Sequence, residues 1–204
     1  MVGWDVSGTG DVDGDGYDDI LVGGPDPYTY GTVFFFQGGC DGAAACGGTT
    51  SGLFAKLSSG VMSVSLATAA FEGQVNDDVG VAVSGAGDID GDGYHDLFLG
   101  AEHSTMFGTG GEDGSVYVVR GGCDGAAACG GVKTGFYQHL TSGSMSLSNA
   151  DVQMYGPAGR VGCDVSGGGD FNGDGLSDLV FGARLNSDAK YRAGAAFVVY
   201  GAAP

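Results

Sequence analysis

Three nine-residue stretches place oxygen-bearing side chains at positions 1, 3, 5 and 9 and glycine at position 6: DVDGDGYDD (11–19), DIDGDGYHD (88–96) and DFNGDGLSD (170–178). The side chains are Asp11, Asp13, Asp15 and Asp19; Asp88, Asp90, Asp92 and Asp96; and Asp170, Asn172, Asp174 and Asp178. Position 7, which is Tyr17, Tyr94 or Leu176, offers a backbone carbonyl. Such a loop can wrap a hard cation. Calcium takes six to eight oxygens at about 2.3–2.6 Å in flexible geometry, and a tight glycine bend turns alternating carboxylates inward. Magnesium dehydrates reluctantly and fits less well. The alternative is an acidic surface turn, since Asp-Gly is an ordinary turn pair, and three copies in one local context favour the cation. An EF-hand is excluded, because position 12 is Val22, Leu99 or Phe181 instead of a bidentate Glu.

The elements around these loops repeat with offsets of 77 and 82 residues between loop starts. Each loop follows a strand ending in Ser-Gly (2–8, 79–85, 161–167) and precedes a short apolar run (20–23, 97–100, 179–182) that reads as a buried strand. A variable loop leads to a third strand at 31–36, 114–119 or 194–200, and fourth strands are expected near 54–57 and 136–140. The third unit reaches residue 204 before any fourth strand. No segment has sustained helical periodicity, although 67–72 suits a single turn. Antiparallel units without βαβ crossovers predict an all-β array of three blades of a β-propeller, over about 1–66, 79–148 and 161–204, the third lacking its outer strand.

The Gly-x-x-Val-Ser-Gly-x-Gly-Asp-x-Asp-Gly-Asp-Gly-x-x-Asp core, with Gly23-Gly24-Pro25, Gly100-Ala101 or Gly182-Ala183 after the second strand, resembles the FG-GAP repeats of integrin α-subunit propellers and their bacterial relatives. The resemblance implies one calcium ion in each of the three loops, on the residues named above. It also implies an extracellular or cell-surface module for adhesion or recognition of a protein or glycan. Two departures stand out: valine (Val2, Val79, Val161) precedes the first glycine, and cysteine loops lengthen the repeats.

The chain of 204 residues has a formal net charge of −18. Eleven carboxylates sit at the loop positions, and three divalent ions would leave about −12. This argues against nucleic acid or an anionic membrane as partner, and no stretch reaches the roughly 18 apolar residues of a membrane span. Cys40 with Cys46 and Cys123 with Cys129 bracket the same five residues, which predicts two small disulfide rings suited to an oxidising compartment. A zinc site is the rival reading, and Cys163 is left over as a small buried residue.

An enzyme reading is not supported, because no nucleophile, base and orienting group are indicated together. His95 is expected to be solvated, His139 to be a surface residue, and His103 to lie in the variable loop 102–113. In an antiparallel meander, the cation loops and the cysteine loops emerge on one face and the variable loops on the other. Tyr28, Tyr30, His103, Phe107 and Tyr155 on that second face are the ligand-binding candidates. The alternative is a self-assembling subunit of a surface layer or filament. Three blades form only an arc, whose ends are expected to expose Trp4 and Phe34 on one side and Phe181 and Phe197 on the other, inviting self-association or another propeller segment.

Overall fold

In the computed structural model the described residues are 1–26, 28–44, 47–56, 61, 63–105, 113–126, 130–156, 159–187 and 190–203. They form three sheets. The first contains β1 (Val6–Gly10), β2 (Asp19–Gly24), β3 (Thr32–Phe36) and β4 (Ala69–Glu72), with each neighbouring pair antiparallel. The second contains β5 (Ala82–Gly87), β6 (Asp96–Ala101), β7 (Ser115–Val119) and β9 (Val152–Tyr155), and the third β10 (Val161–Gly169), β11 (Asp178–Ala183) and β12 (Ala195–Val199). β1, β5 and β10 pack against one another along the inner side, as the innermost strands of propeller blades do.

The outer strands are not where the sequence suggests. Residues 52–56 form a short helix, α1 (Gly52–Lys56), and Gly135–Gln138 form a 3-10 turn, whereas the fourth strands are Ala69–Glu72 and Val152–Tyr155. The first of these lies beyond the expected blade limit of 66, in the segment read as a helical turn. The cause is visible at Gly52 and Gly135. Both have positive φ, of 50° and 52°, and a Cβ on either would strike the carbonyl of Gly38 or Gly121. The chain must therefore turn at the residue where a strand would have begun. A further strand, β8 (Ser144–Ser146), leaves the second unit and pairs in parallel with β4, so that the first sheet has five strands.

Two apolar seams hold the blades together. Between the first and second blades, Phe136 is fully buried and meets Phe35 and Phe71 edge-on at centroid distances of 5.4 and 5.2 Å. Met145 and Leu147 close the same seam. Between the second and third blades, Phe181 is edge-on to Phe98 at 6.0 Å and stacks on Phe197 at 5.3 Å. Phe181 and Phe197 thus face the second blade and are not the exposed end of the arc. Strand alternation puts Val198 and Ala196 on that outer face, where Val198 is 51% exposed. At the other end Trp4 is 59% exposed, and Phe34 is partly covered.

The glycine that ends the β2-type strand allows the blades to approach. A Cβ at Gly23 would lie 2.2 Å from the carbonyl oxygen of Gly80, and one at Gly100 would lie 2.2 Å from that of Gly162. No larger residue fits at either position without moving the next blade.

Candidate metal centre

Each acidic loop joins the first two strands of its blade and is wound by its own carboxylates. In the first, Asp11 Oδ1 accepts the N–H groups of Gly14 (2.7 Å) and Asp15 (3.1 Å), and Asp11 Oδ2 accepts that of Gly16 (2.9 Å). Asp13 Oδ1 accepts from Asp15 N–H at 3.1 Å, and Asp15 Oδ1 from Tyr17 N–H at 2.9 Å. Asp88, Asp90 and Asp92 repeat the pattern, with bonds from Gly91, Gly93, Asp92 and Tyr94. Asp170, Asn172 and Asp174 do so as well, and Leu176 N–H donates to Asp174 Oδ1. The bends are made by Gly14, Gly91 and Gly173, at φ between 76° and 79°.

This winding brings the carboxylates together. Oxygens of Asp11, Asp13 and Asp15 all lie within 4.8 Å of one another, as do those of Asp88, Asp90 and Asp92. The donor set is hard oxygen throughout, and each oxygen engaged by one N–H keeps a further lone pair, so the residues fit a calcium-sized hard cation.

Position 9 has a second task. Asp19, Asp96 and Asp178 are fully buried. One oxygen accepts from position 2 of the loop: Val12 N–H at 2.9 Å, Ile89 at 3.0 Å and Phe171 at 2.6 Å. The other accepts from a glycine after the third strand: Gly38 at 2.7 Å, Gly121 at 2.9 Å and Gly201 at 2.9 Å. The carboxylate ties the loop to the third strand of its own blade.

Two neighbours that sequence reasoning missed occupy equivalent positions after that strand. Gln37 Nε2 donates to Asp13 Oδ2, and Arg120 Nη1 donates to Asp90 Oδ2 at 3.1 Å while its Nε reaches Asp151 Oδ1 at 2.7 Å. The shared register with the loop was the available signal. Asp124, from the second cysteine loop, adds negative charge to Asp13 and Asp15.

Burial, acting against the charged form, pushes the Asp19 and Asp96 carboxyls up to about 7. Between the ordinary carboxylate range and that value, the folded protein holds protons that the unfolded chain has released. In chelator, stability should therefore fall as pH rises from about 4 to about 7. A bound cation supplies the missing positive charge, so in calcium that loss should vanish, and acid should instead weaken the protein by competing for the carboxylates. Calorimetric scans at several pH values with and without calcium measure both trends.

On the opposite face, Tyr30, Gln74, Asp77, Ser104, Thr105 and Tyr155 line a cleft of about 650 Å³ between the first two blades. Behind it the buried Tyr117 hydroxyl donates to Asp77 Oδ2 and accepts from Gln153 Nε2 at 2.7 Å, and burial pushes that phenol up. Of the expected ligand residues, Tyr30 and Tyr155 therefore meet in one cleft. His103 lies beside it, its Nδ1 3.0 Å from Asp78 Oδ2. Tyr28 is 91% exposed outside the cleft, and Phe107 falls outside the described residues.

His95 is not the solvated residue expected. Its Nδ1 lies 3.1 Å from the Thr9 carbonyl, and its ring fills the space that a Cβ on Gly10 would need. His139 is exposed. Cys40 and Cys123 are buried, and their sulfurs accept N–H bonds from Gly42 and Gly125 at 3.2 and 3.1 Å. Their expected partners, Cys46 and Cys129, fall outside the described residues. Cys163 is a free thiol, half-buried.

The family model for FG-GAP repeats matches residues 2–36 and 79–119. The chain is 29% identical over 183 residues to integrin alpha pat-2 of Caenorhabditis briggsae, covering 88% of this chain and 13% of that protein. It is 34% identical over 113 residues to integrin alpha-E of Mus musculus, covering 55% of this chain and 8% of that protein. The chain thus spans a small part of the length of these relatives. Among the described residues no helix is long and apolar enough to cross a membrane.

Proposed function

The chain belongs to the integrin-α-like FG-GAP repeat family, and from that premise we propose that it is an extracellular recognition module without catalytic activity, rigidified by three calcium ions. The single observation that carries this reading is the recurrence of one wound acidic loop, with its carboxylates convergent and its ninth-position Asp clamped to the third strand, on one face of every blade. The ions sit on Asp11, Asp13, Asp15 and Asp19, on Asp88, Asp90, Asp92 and Asp96, and on Asp170, Asn172, Asp174 and Asp178, with the carbonyls of Tyr17, Tyr94 and Leu176. Disulfides Cys40–Cys46 and Cys123–Cys129 belong to the same reading, because they stiffen the loops on the calcium face in an oxidising compartment.

The ligand meets the other face. The cleft of Tyr30 and Tyr155 combines aromatic surfaces with amide, hydroxyl and carboxylate groups, which suits a neutral glycan or a polar protein loop and repels an anion. A glycan array probed in calcium, followed by titration of the best binder, tests this. Tyr155→Ala should weaken binding about tenfold, the scale of a lost aromatic anchor, and a substitution in the cysteine loop at Asp41 should leave it unchanged. The reverse order of effects would move the site to the calcium face.

A second reading, a self-assembling structural subunit, is favoured by the apolar residues at both ends of the arc: Trp4, Val6 and Phe54 at one, Ala196 and Val198 at the other. Head-to-tail contact of two such ends, from two copies or from an adjoining propeller segment, would bury them.

A further inference from the structure

Between the second and third blades an apolar groove of about 370 Å³ opens outward, walled by Val118, Val152 and Met154 on one side and Leu179 and Val199 on the other. Its volume lies in the range of ligand pockets, about 300–1000 Å³. The internal repeat indicates what such a groove takes. Val118 pairs with Val152 and Val116 with Met154, in the register by which Phe35 pairs with Ala69 and Val33 with Phe71. The groove walls Val118 and Met154 are therefore the counterparts of Phe35 and Phe71. Leu179 pairs with Val199 as Leu97 pairs with Val119, which matches the opposite walls.

At the first junction this space is filled. Phe136, on the Gly135–Gln138 turn, packs on both Phe35 and Phe71, and Arg120 holds the turn by accepting the Phe136 N–H at 3.0 Å. The chain then continues into β8, where Met145 pairs with Phe71 on the outer edge of β4. At the second junction β9 ends its sheet, so among the described residues the edge that β8 covers on β4 is open on β9. An open groove and an open strand edge thus coincide, and each has a filled counterpart one blade earlier.

We propose that this junction is an acceptor site for a partner polypeptide segment supplied in trans. Its chemistry is that of residues 135–147: a glycine-led turn carrying an aromatic plug, followed by a short Ser/Met strand that pairs in parallel with β9. The plug enters between Met154 and Leu179, and the strand takes the free N–H and C=O groups of Val152–Tyr155. The site is separate from the calcium loops and from the cleft on the opposite face, so it does not depend on either assignment.

The probe is a fluorescein-labelled synthetic peptide with the sequence of residues 132–149, titrated by fluorescence anisotropy with the whole protein in calcium. Saturable binding with one peptide per protein is expected. Serine in place of the peptide's phenylalanine should weaken it about tenfold or more. Val152→Glu and Met154→Asp in the protein should each do the same; Val152 is 44% exposed, so its variant keeps its fold, as a thermal melt will verify. Failure of the peptide to bind, or binding untouched by these changes, overturns the proposal. A wild-type dimer that Met154→Asp dissociates, with no peptide binding, gives the groove to a second copy and overturns it as well. Loss of calcium binding alone would leave this result standing, so the two readings fail separately.

Discussion

Transfer from millimolar calcium into chelator should lower the melting temperature by about 15 °C or more, since each of three sites contributes about 2.7 kcal/mol at a hundredfold excess over its dissociation constant. The cause is electrostatic. Carboxylate oxygens held within 4.8 Å of one another repel when nothing stands between them, and the chain already carries a net charge of −18. Asp15→Ala, Asp92→Ala and Asp174→Ala should each remove about one ion of the three counted by titration calorimetry. Identical melting curves in calcium and in chelator would end the calcium reading.

Asp96→Ala is expected to do more damage than the loss of an ion. Its carboxylate is fully buried and accepts from Ile89 N–H at 3.0 Å and Gly121 N–H at 2.9 Å. Truncation leaves both donors without partners, at about 1–3 kcal/mol each, and parts the acidic loop from the end of β7. Saturating calcium cannot restore those bonds. Asp96→Asn should fall between, because its amide keeps one acceptor but points an N–H group at the other donor. Asp92 is exposed and bonded only within its loop, so in chelator Asp92→Ala should unfold at nearly the wild-type urea concentration. Equal losses for Asp92→Ala and Asp96→Ala in chelator would rule out the clamp.

The contrast between these two aspartates marks the reach of sequence reading. The acidic loops, the three strands around each and the buried run after each loop are local, written in residues a few positions apart, and they were legible. The tie from Asp19 to Gly38 spans 19 residues and that from Asp96 to Gly121 spans 25, so nothing near either aspartate announces it. The outer strands were misplaced for a related reason. Gly135-Phe136-Tyr137 looks like the start of a strand, but its aromatic ring belongs to a seam made by Phe35 and Phe71 of another blade. Ala69-Ala70-Phe71, too short to show a period, becomes β4 because β3 and β8 flank it. The likeness of Tyr28 to Tyr30 in sequence concealed that one points into solvent and the other into a cleft.

The hydrogen bonds that cross between blades all run one way at the acidic loops. The carbonyl of Asp11 accepts from His95 N–H at 3.0 Å and that of Val12 from Gly122 N–H at 2.8 Å; Asp88 and Ile89 accept in the same manner from Ser177 and Ala202, at 2.9 and 3.0 Å. An ion that stiffens residues 11–19 therefore also stiffens the hinge to the second blade, and one at 88–96 stiffens the hinge to the third. Within residues 1–204, an ion at 170–178 braces only its own hairpin. Regarded as a mechanical linkage, the module has a leading and a trailing end, and its resistance to bending is set at two of its three cation loops.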